Sequence, residues 1–273
     1  MAVGRRVAEG DVVAGYEVGA LAGRGGMGEV YRAHDPRLER PVALKLLSER
    51  LSDDDGFRER MLKESRLAAS LDHPNVVPIY EAGEADGRLF IAMRYVDGTD
   101  LKALLRREGA LTPERAVAIA AQVADALDAA HAKGLVHRDV KPSNVLLDQQ
   151  GGREHAYLAD FGLTQSIAEA GPADGSLMGT VDYVAPEQIR GDQVDGRADV
   201  YALGCLLFES LTGTLPFTGR PTSRSSTPTW RRRLRARASA ARGFLQQSTP
   251  FSPGPWRRTR TSGRRAAAHS STR

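Results

Sequence analysis

Short strand-like runs of apolar, β-branched and aromatic residues, some alternating with polar ones, occupy positions 16–18, 29–33, 41–46, 76–80 and 89–93. A longer run at 58–71 repeats its apolar positions at helical spacing, so the first ninety-odd residues read as a small sheet carrying one helix. From Thr99 the period lengthens. Thr99 is placed to cap a helix that ends at Gly109, and Thr112 with Pro113 opens another. In that second helix Ala116, Val117, Ile119, Ala120, Val123, Ala124, Leu127 and Ala130 form an apolar stripe, which should stop before Gly134. Strand-like pieces at 135–136, 145–147 and 157–159 then bracket polar segments, and 199–211 is a compact apolar helix. The class predicted is α+β, with a sheet-rich first part and a mainly helical second part. No internal repeat of about 20–50 residues interrupts this order.

The polar segments carry the candidate chemistry. Gly23, Gly25 and Gly28, followed by Val30, lie between two strand-like pieces, where amides without a neighbouring Cβ can approach phosphates. Taken alone, such a triplet is equally a flexible hairpin, and no helix opens directly after it as a dinucleotide fingerprint would need. Lys45 closes the apolar alternation Val42-Ala43-Leu44; alone it reads as a surface lysine, and Glu64, on the helical run, as a solvated acid that could pair with it. The strongest pattern is His137-Arg138-Asp139-Val140-Lys141-Pro142-Ser143-Asn144, followed by Asp160-Phe161-Gly162 and Ala185-Pro186-Glu187. Transfer of a phosphoryl group to a hydroxyl needs a carboxylate to take the proton, a cation for the phosphate and oxygen ligands for a divalent ion. Asp139, Lys141, Asn144 and Asp160 offer those groups in order. Each tripeptide alone is common, whereas all of them in this order are not.

On these motifs residues 16 to about 218 resemble the protein kinase family, in particular the bacterial eukaryotic-like (Hanks-type) serine/threonine kinases. The resemblance implies a two-lobed fold: an N-terminal segment 1–15, an N-lobe 16–93, a hinge 94–98 and a partial C-lobe 99–219. It implies that Gly23, Gly25 and Gly28 cover the phosphates of ATP and that Lys45 holds the α- and β-phosphates while pairing with Glu64. Asp139 becomes the catalytic base, Lys141 its phosphate-facing cation, and Asn144 and Asp160 the ligands of Mg²⁺, with Mn²⁺ as an alternative. Val30, Ala43 and Leu146 would enclose adenine beside Met93, with Tyr95 and Val96 in the hinge and Asp100 on the ribose. Lys141 and Thr180 match the serine/threonine branch, so the implied partners are proteins bearing Ser or Thr, with self-association for autophosphorylation. Arg138 before the base implies control by a phosphate, for which Ser176 is the candidate.

Charge changes this picture at one place. Residues 1–219 carry 24 Lys+Arg against 34 Asp+Glu, whereas 220–273 carry 14 Arg and no acid or lysine. The pI of about 9.4 therefore reports the tail alone, and nucleic-acid contact is expected only there and only non-specifically. The tail's large apolar side chains, Trp230, Leu234, Phe244, Leu245, Phe251 and Trp256, are too few to offset ordering 54 residues, so it is expected to stay disordered. Its composition is that of GC-rich coding DNA read out of frame, so a domain truncated or frameshifted after about residue 219 is expected. The alternative function is then a nucleotide- or partner-binding fragment without catalysis. A single cysteine, Cys205, excludes an internal disulfide. With no apolar run of membrane length, a cytoplasmic location is expected.

Overall fold

The computed structural model describes residues 7–150, 153–161 and 182–217, all within one unit, Met1–Arg220. Ser176, Thr180, Gly162 and the segment 220–273 lie outside the described residues. The first part is a six-stranded antiparallel sheet, β1 (Val12–Val13), β2 (Tyr16–Gly25), β3 (Gly28–Asp35), β4 (Arg40–Leu47), β5 (Ile79–Ala85) and β6 (Arg88–Arg94), in the order β1-β2-β3-β4-β6-β5. Between β4 and β5 come α1 (Glu49–Ser52) and α2 (Asp55–Ala69). Helix α2 starts where Asp54 accepts the Phe57 amide at 2.8 Å, three residues before the start expected from periodicity.

The period of two along the strands sorts the sheet into faces. Val42, Leu44 and Leu46 of β4 join Phe90 and Ala92 of β6, Tyr31 and Tyr16 in one core. The alternate positions Ala43 and Leu47, with Leu89, Ile91 and Met93, pack with Phe57 and Met61 of α2. Lys45 occupies the same face as Ala43 and Leu47, which turns a strand lysine inward.

The second part holds β7 (Thr99–Asp100), α3 (Leu101–Glu108), α4 (Pro113–Ala132), β8 (Val145–Gln150), β9 (Arg153–Leu158), α5 (Pro186–Arg190) and α6 (Arg197–Thr212). Leu104, Ile119, Val123, Leu127, Leu147, Leu158, Cys205 and Leu206 share its core, so Cys205 serves as a small apolar side chain. Thr112 accepts from Arg115 N and Pro113 occupies the first turn of α4, as the sequence predicts. Three expectations are corrected. Asp100, not Thr99, caps α3, accepting the Ala103 amide at 2.8 Å. Val117 is 54% exposed, and the buried stripe takes in Ala126. Residues 135–136 form no strand, because the Leu135 amide turns back to the Ala130 carbonyl and closes α4.

Two backbone joins connect the parts, beside the side-chain packing between them. One join is the crossing at 94–98. The other is a clasp of backbone bonds, Val77 N to Leu158 O (3.0 Å) and Leu158 N to Asn75 O (2.8 Å). The buried Asn75 amide reinforces the clasp by donating to Ala156 O (2.9 Å) and to Gln122 Oε1 (3.1 Å) on α4. Gln122 Oε1 also accepts from Ala156 N.

Candidate active site

The segment between α4 and β8 is held almost entirely by side chains reaching its backbone. Asp199, fully buried on α6, accepts from His137 N (2.8 Å) and Arg138 N (2.7 Å) and from His131 Nε2 on α4 (2.7 Å). His137 is also fully buried. Its Nδ1 accepts from Asp139 N at 3.2 Å and its Nε2 donates to Ala159 O at 2.9 Å, which fixes the Nε2–H tautomer. The Phe161 ring meets its edge at a centroid distance of 4.6 Å. Arg138 takes φ +66° and Asp160 φ +65°, the left-handed region that costs a non-glycine residue roughly 1–3 kcal/mol and is kept only where surroundings dictate it.

Within this frame Asp139 Oδ2 accepts from Lys141 Nζ (2.6 Å) and Asn144 Nδ2 (3.1 Å), and Asn144 Nδ2 also donates to Asp139 O (2.9 Å). A single 3-10 turn, Pro142–Asn144, brings Asn144 back to the loop that it holds. Across the cleft the Lys45 ammonium, 5% exposed, meets Asp160 Oδ1 at 2.7 Å. The carboxylate found at the ammonium is thus Asp160, and Glu64 lies half-buried on α2. A left-handed turn just beyond β9 carries Asp160 to the ammonium, a placement that sequence spacing cannot register.

Burial alone would push the Asp160 carboxyl up. The charge and hydrogen bond of Lys45, helped by the positive charge of Lys141, more than offset it and hold the carboxyl below its ordinary value. The folded pKa being depressed, the pair's stabilisation is present above about pH 4 and is lost as pH falls through the lower folded value. Lys45→Met should therefore melt below wild type at neutral pH, and that gap should narrow below about pH 4; thermal melts across pH check this.

The glycine hairpin divides by physical role. A Cβ on Gly28, whose φ is +148°, would fall 2.0 Å from Leu46 O, so the fold itself demands glycine there. A Cβ on Gly23 or Gly25 meets nothing within 4 Å. Gly28→Ala should lower stability by on the order of 3 kcal/mol. Gly23→Ala should leave melting unchanged and raise the apparent KM for ATP; calorimetry and ATP titration separate the two.

Ala43, Val96 and Leu146 are half-buried and pack with Met93 and with Met27 of the hairpin tip in one apolar cluster drawn from both parts of the chain. Val30 stands outside that cluster, opposite Lys45 in the β3–β4 register. Tyr95 lies half-buried beneath the Arg32 guanidinium, 5.1 Å from ring centroid to charge. Asp100 has one carboxylate oxygen committed to capping α3. Arg138 Nε is buried without a hydrogen-bond partner among the described residues. Sequence reasoning missed Met27, His131 and Gln188, whose Nε2 donates to Arg138 O at 3.0 Å. Met27 occupies an unspecified position of the glycine triplet and Gln188 directly follows Ala185-Pro186-Glu187, so neither is marked by type, and His131 stands in no motif.

The donor set suits a hard divalent ion. Asn144 Nδ2 is committed to Asp139, so Oδ1 is the atom that it can offer a cation, beside the Asp160 carboxylate. No cluster of three or more His, Cys, Asp or Glu that could hold a metal ion stands among the described residues. No helix among them is long and apolar enough to cross a membrane.

Comparison with known proteins agrees with this geometry. Serine/threonine-protein kinase PknD of Mycobacterium tuberculosis is 51% identical over 203 residues, 74% of this chain and 30% of that one. PknE of Mycobacterium bovis is 50% identical over 212 residues, 77% of this chain and 37% of its own. The chain thus spans about a third of the length of these relatives. Among solved structures, the PknI kinase domain of Mycobacterium tuberculosis aligns with a TM-score of 0.65 at 39% identity, covering 80% of this chain and 83% of that one. The profile described as the protein kinase domain matches residues 16–249, reaching beyond Gly219. With that match over most of its length, and with the two-part fold around Lys45, Asp139 and Asp160, the chain belongs to the protein kinase domain family.

Proposed function

We propose that this chain is a serine/threonine protein kinase that transfers the γ-phosphoryl group of ATP to protein hydroxyls, its own included, with Mg²⁺, or alternatively Mn²⁺, as cofactor. The observation that carries this reading is the convergence of Lys141 and Asn144 on one oxygen of Asp139, across the cleft from the Lys45–Asp160 ion pair. Phosphoryl transfer asks a protein for position and charge more than for covalent chemistry. With Oδ2 held by two donors, the Asp139 carboxylate is fixed in rotation, and Oδ1 is left to accept the proton of an incoming hydroxyl. Lys141 puts a positive charge beside that hydroxyl and the phosphate that it attacks. Lys45 would hold phosphate oxygens, with the Gly23 and Gly25 amides of the hairpin as further donors. Asn144 and Asp160 hold the divalent ion, which when bound neutralises phosphate charge. Ala43, Val96, Leu146 and Met93 form the apolar slot for the base.

The unpaired buried donor of Arg138 supports a regulatory reading as well. A phosphate at Ser176, carrying a charge of roughly −1.5 to −2, is a suitable acceptor for it. Protein substrates with Ser or Thr, and a second copy of the chain for autophosphorylation, are the partners proposed.

The test is intact-mass measurement of the purified full chain after incubation with ATP, with Mg²⁺, Mn²⁺ or chelator, followed by phosphoamino-acid analysis. Metal-dependent addition of phosphoryl groups to serine and threonine is expected. A folded chain that binds ATP yet labels neither itself nor a Ser/Thr-containing protein with either metal would overturn the reading.

A further inference from the structure

Gln188 is the third residue of α5, and its side chain leaves the helix to touch a loop fifty residues earlier in the sequence. Its Oε1 accepts from Ala185 N at 3.0 Å, and its Nε2 donates to Arg138 O at 3.0 Å. The first partner can only donate and the second can only accept, so the orientation of the amide is fixed by chemistry. Ala185 has no side-chain oxygen to return the bond, which makes the arrangement half of a reciprocal cap with the other half aimed elsewhere.

That other half falls on the peptide between Arg138 and Asp139. Its carbonyl is held by Gln188 and its N–H by His137 Nδ1. On the preceding peptide the Arg138 N–H is held by Asp199. A left-handed Arg138 has no secondary structure to keep it there, so these three bonds set the direction in which the chain enters Asp139. Asp199 and His137 belong to the helix and the loop already described, whereas Gln188 couples the loop to a separate element, α5.

We infer that Gln188 is a positioning residue: by clamping the Arg138 carbonyl it aims the Asp139 carboxylate at the acceptor hydroxyl, coupling the setting of α5 to the rate of phosphoryl transfer. The inference deepens the function proposed above and, in its kinetic part, rests on it. Gln188 touches neither nucleotide-facing residues nor Asp139 itself among its described bonds, so its loss should act on turnover and not on ATP binding.

Two variants of the full chain test this. Gln188→Leu removes both bonds at similar volume. Gln188→Glu keeps the acceptor for Ala185 but replaces the donor with a carboxylate that repels the Arg138 carbonyl until it is protonated. Hydrogen exchange comes first, because it needs no activity: amides at 136–141 should exchange faster in both variants at neutral pH, while those of α4 and β4 stay protected. In steady-state assays Gln188→Leu should lose roughly tenfold to a hundredfold in kcat with the ATP KM within about twofold. The ratio of Gln188→Glu to wild-type kcat should rise as pH falls from about 8 to about 5.5, as the acid regains a donor. Unchanged exchange at 136–141 in Gln188→Glu overturns the inference, as does a pH-independent ratio equal to that of wild type, which is what a purely capping role predicts. If Gln188→Leu fails to fold, Gln188→Glu alone decides. A wild type that transfers no phosphate defeats the proposed activity, and the exchange result still judges the clamp.

Discussion

Asp139→Asn is expected to lower phosphate incorporation by roughly a hundredfold to ten-thousandfold while the melting temperature stays within about 2 °C of wild type. The asymmetry follows from what the carboxylate does in the resting protein. Oδ2 accepts from Lys141 and Asn144, and an asparagine can turn its single oxygen to the same two donors, so the loop keeps its bonds. What it cannot do is accept a proton from a hydroxyl. Asp139→Ala is a poorer probe, because it would leave the Lys141 ammonium, already half-buried, without its acceptor. The measurement is the rate of radiolabel transfer beside a thermal melt of each variant. Activity within about threefold of wild type would remove Asp139 from the role of base.

Asp199→Ala should be the most destabilising single change in the helical part. It deletes the acceptor of two buried backbone donors, His137 N and Arg138 N, and of His131. Each buried donor left unmade costs about 1–3 kcal/mol, so a loss of roughly 3–5 kcal/mol and a melting point lower by on the order of 10 °C are expected. Activity should fall as well, because the left-handed Arg138 depends on one of the lost bonds. Asp199→Asn discriminates further: its amide nitrogen would have to face an N–H donor, so it should recover little of the loss. Chemical denaturation with an unchanged m-value would assign the effect to the native state.

The parts of the fold that a linear pattern can encode were legible. Alternation in β4 and a bounded apolar run in β6 placed the strands, and Thr112-Pro113 marked the start of α4 within a residue. The meeting of Asp139, Lys141 and Asn144 was legible too, since they lie within six residues and converge through local geometry. Failures came where two local choices were equally good or where the deciding contact was distant. Thr99 and Asp100 are both competent caps, and the register of β7 against β8 decided between them. The Lys45–Asp160 contact was not legible because it depends on a backbone turn at Asp160, invisible to periodicity. His131 and Gln188 look like ordinary helix residues, and their partners lie 68 and 50 positions away.

The clasp at Asn75 and Leu158 has a mechanical consequence. A body attached to another by one flexible strand can swing about any axis through that point. Attached at two separated points, it can turn only about the line that joins them. The covalent crossing at 94–98 and the Asn75–Gln122–Leu158 contacts are two such points, and the Lys45–Asp160 pair and the shared apolar cluster tie the parts further.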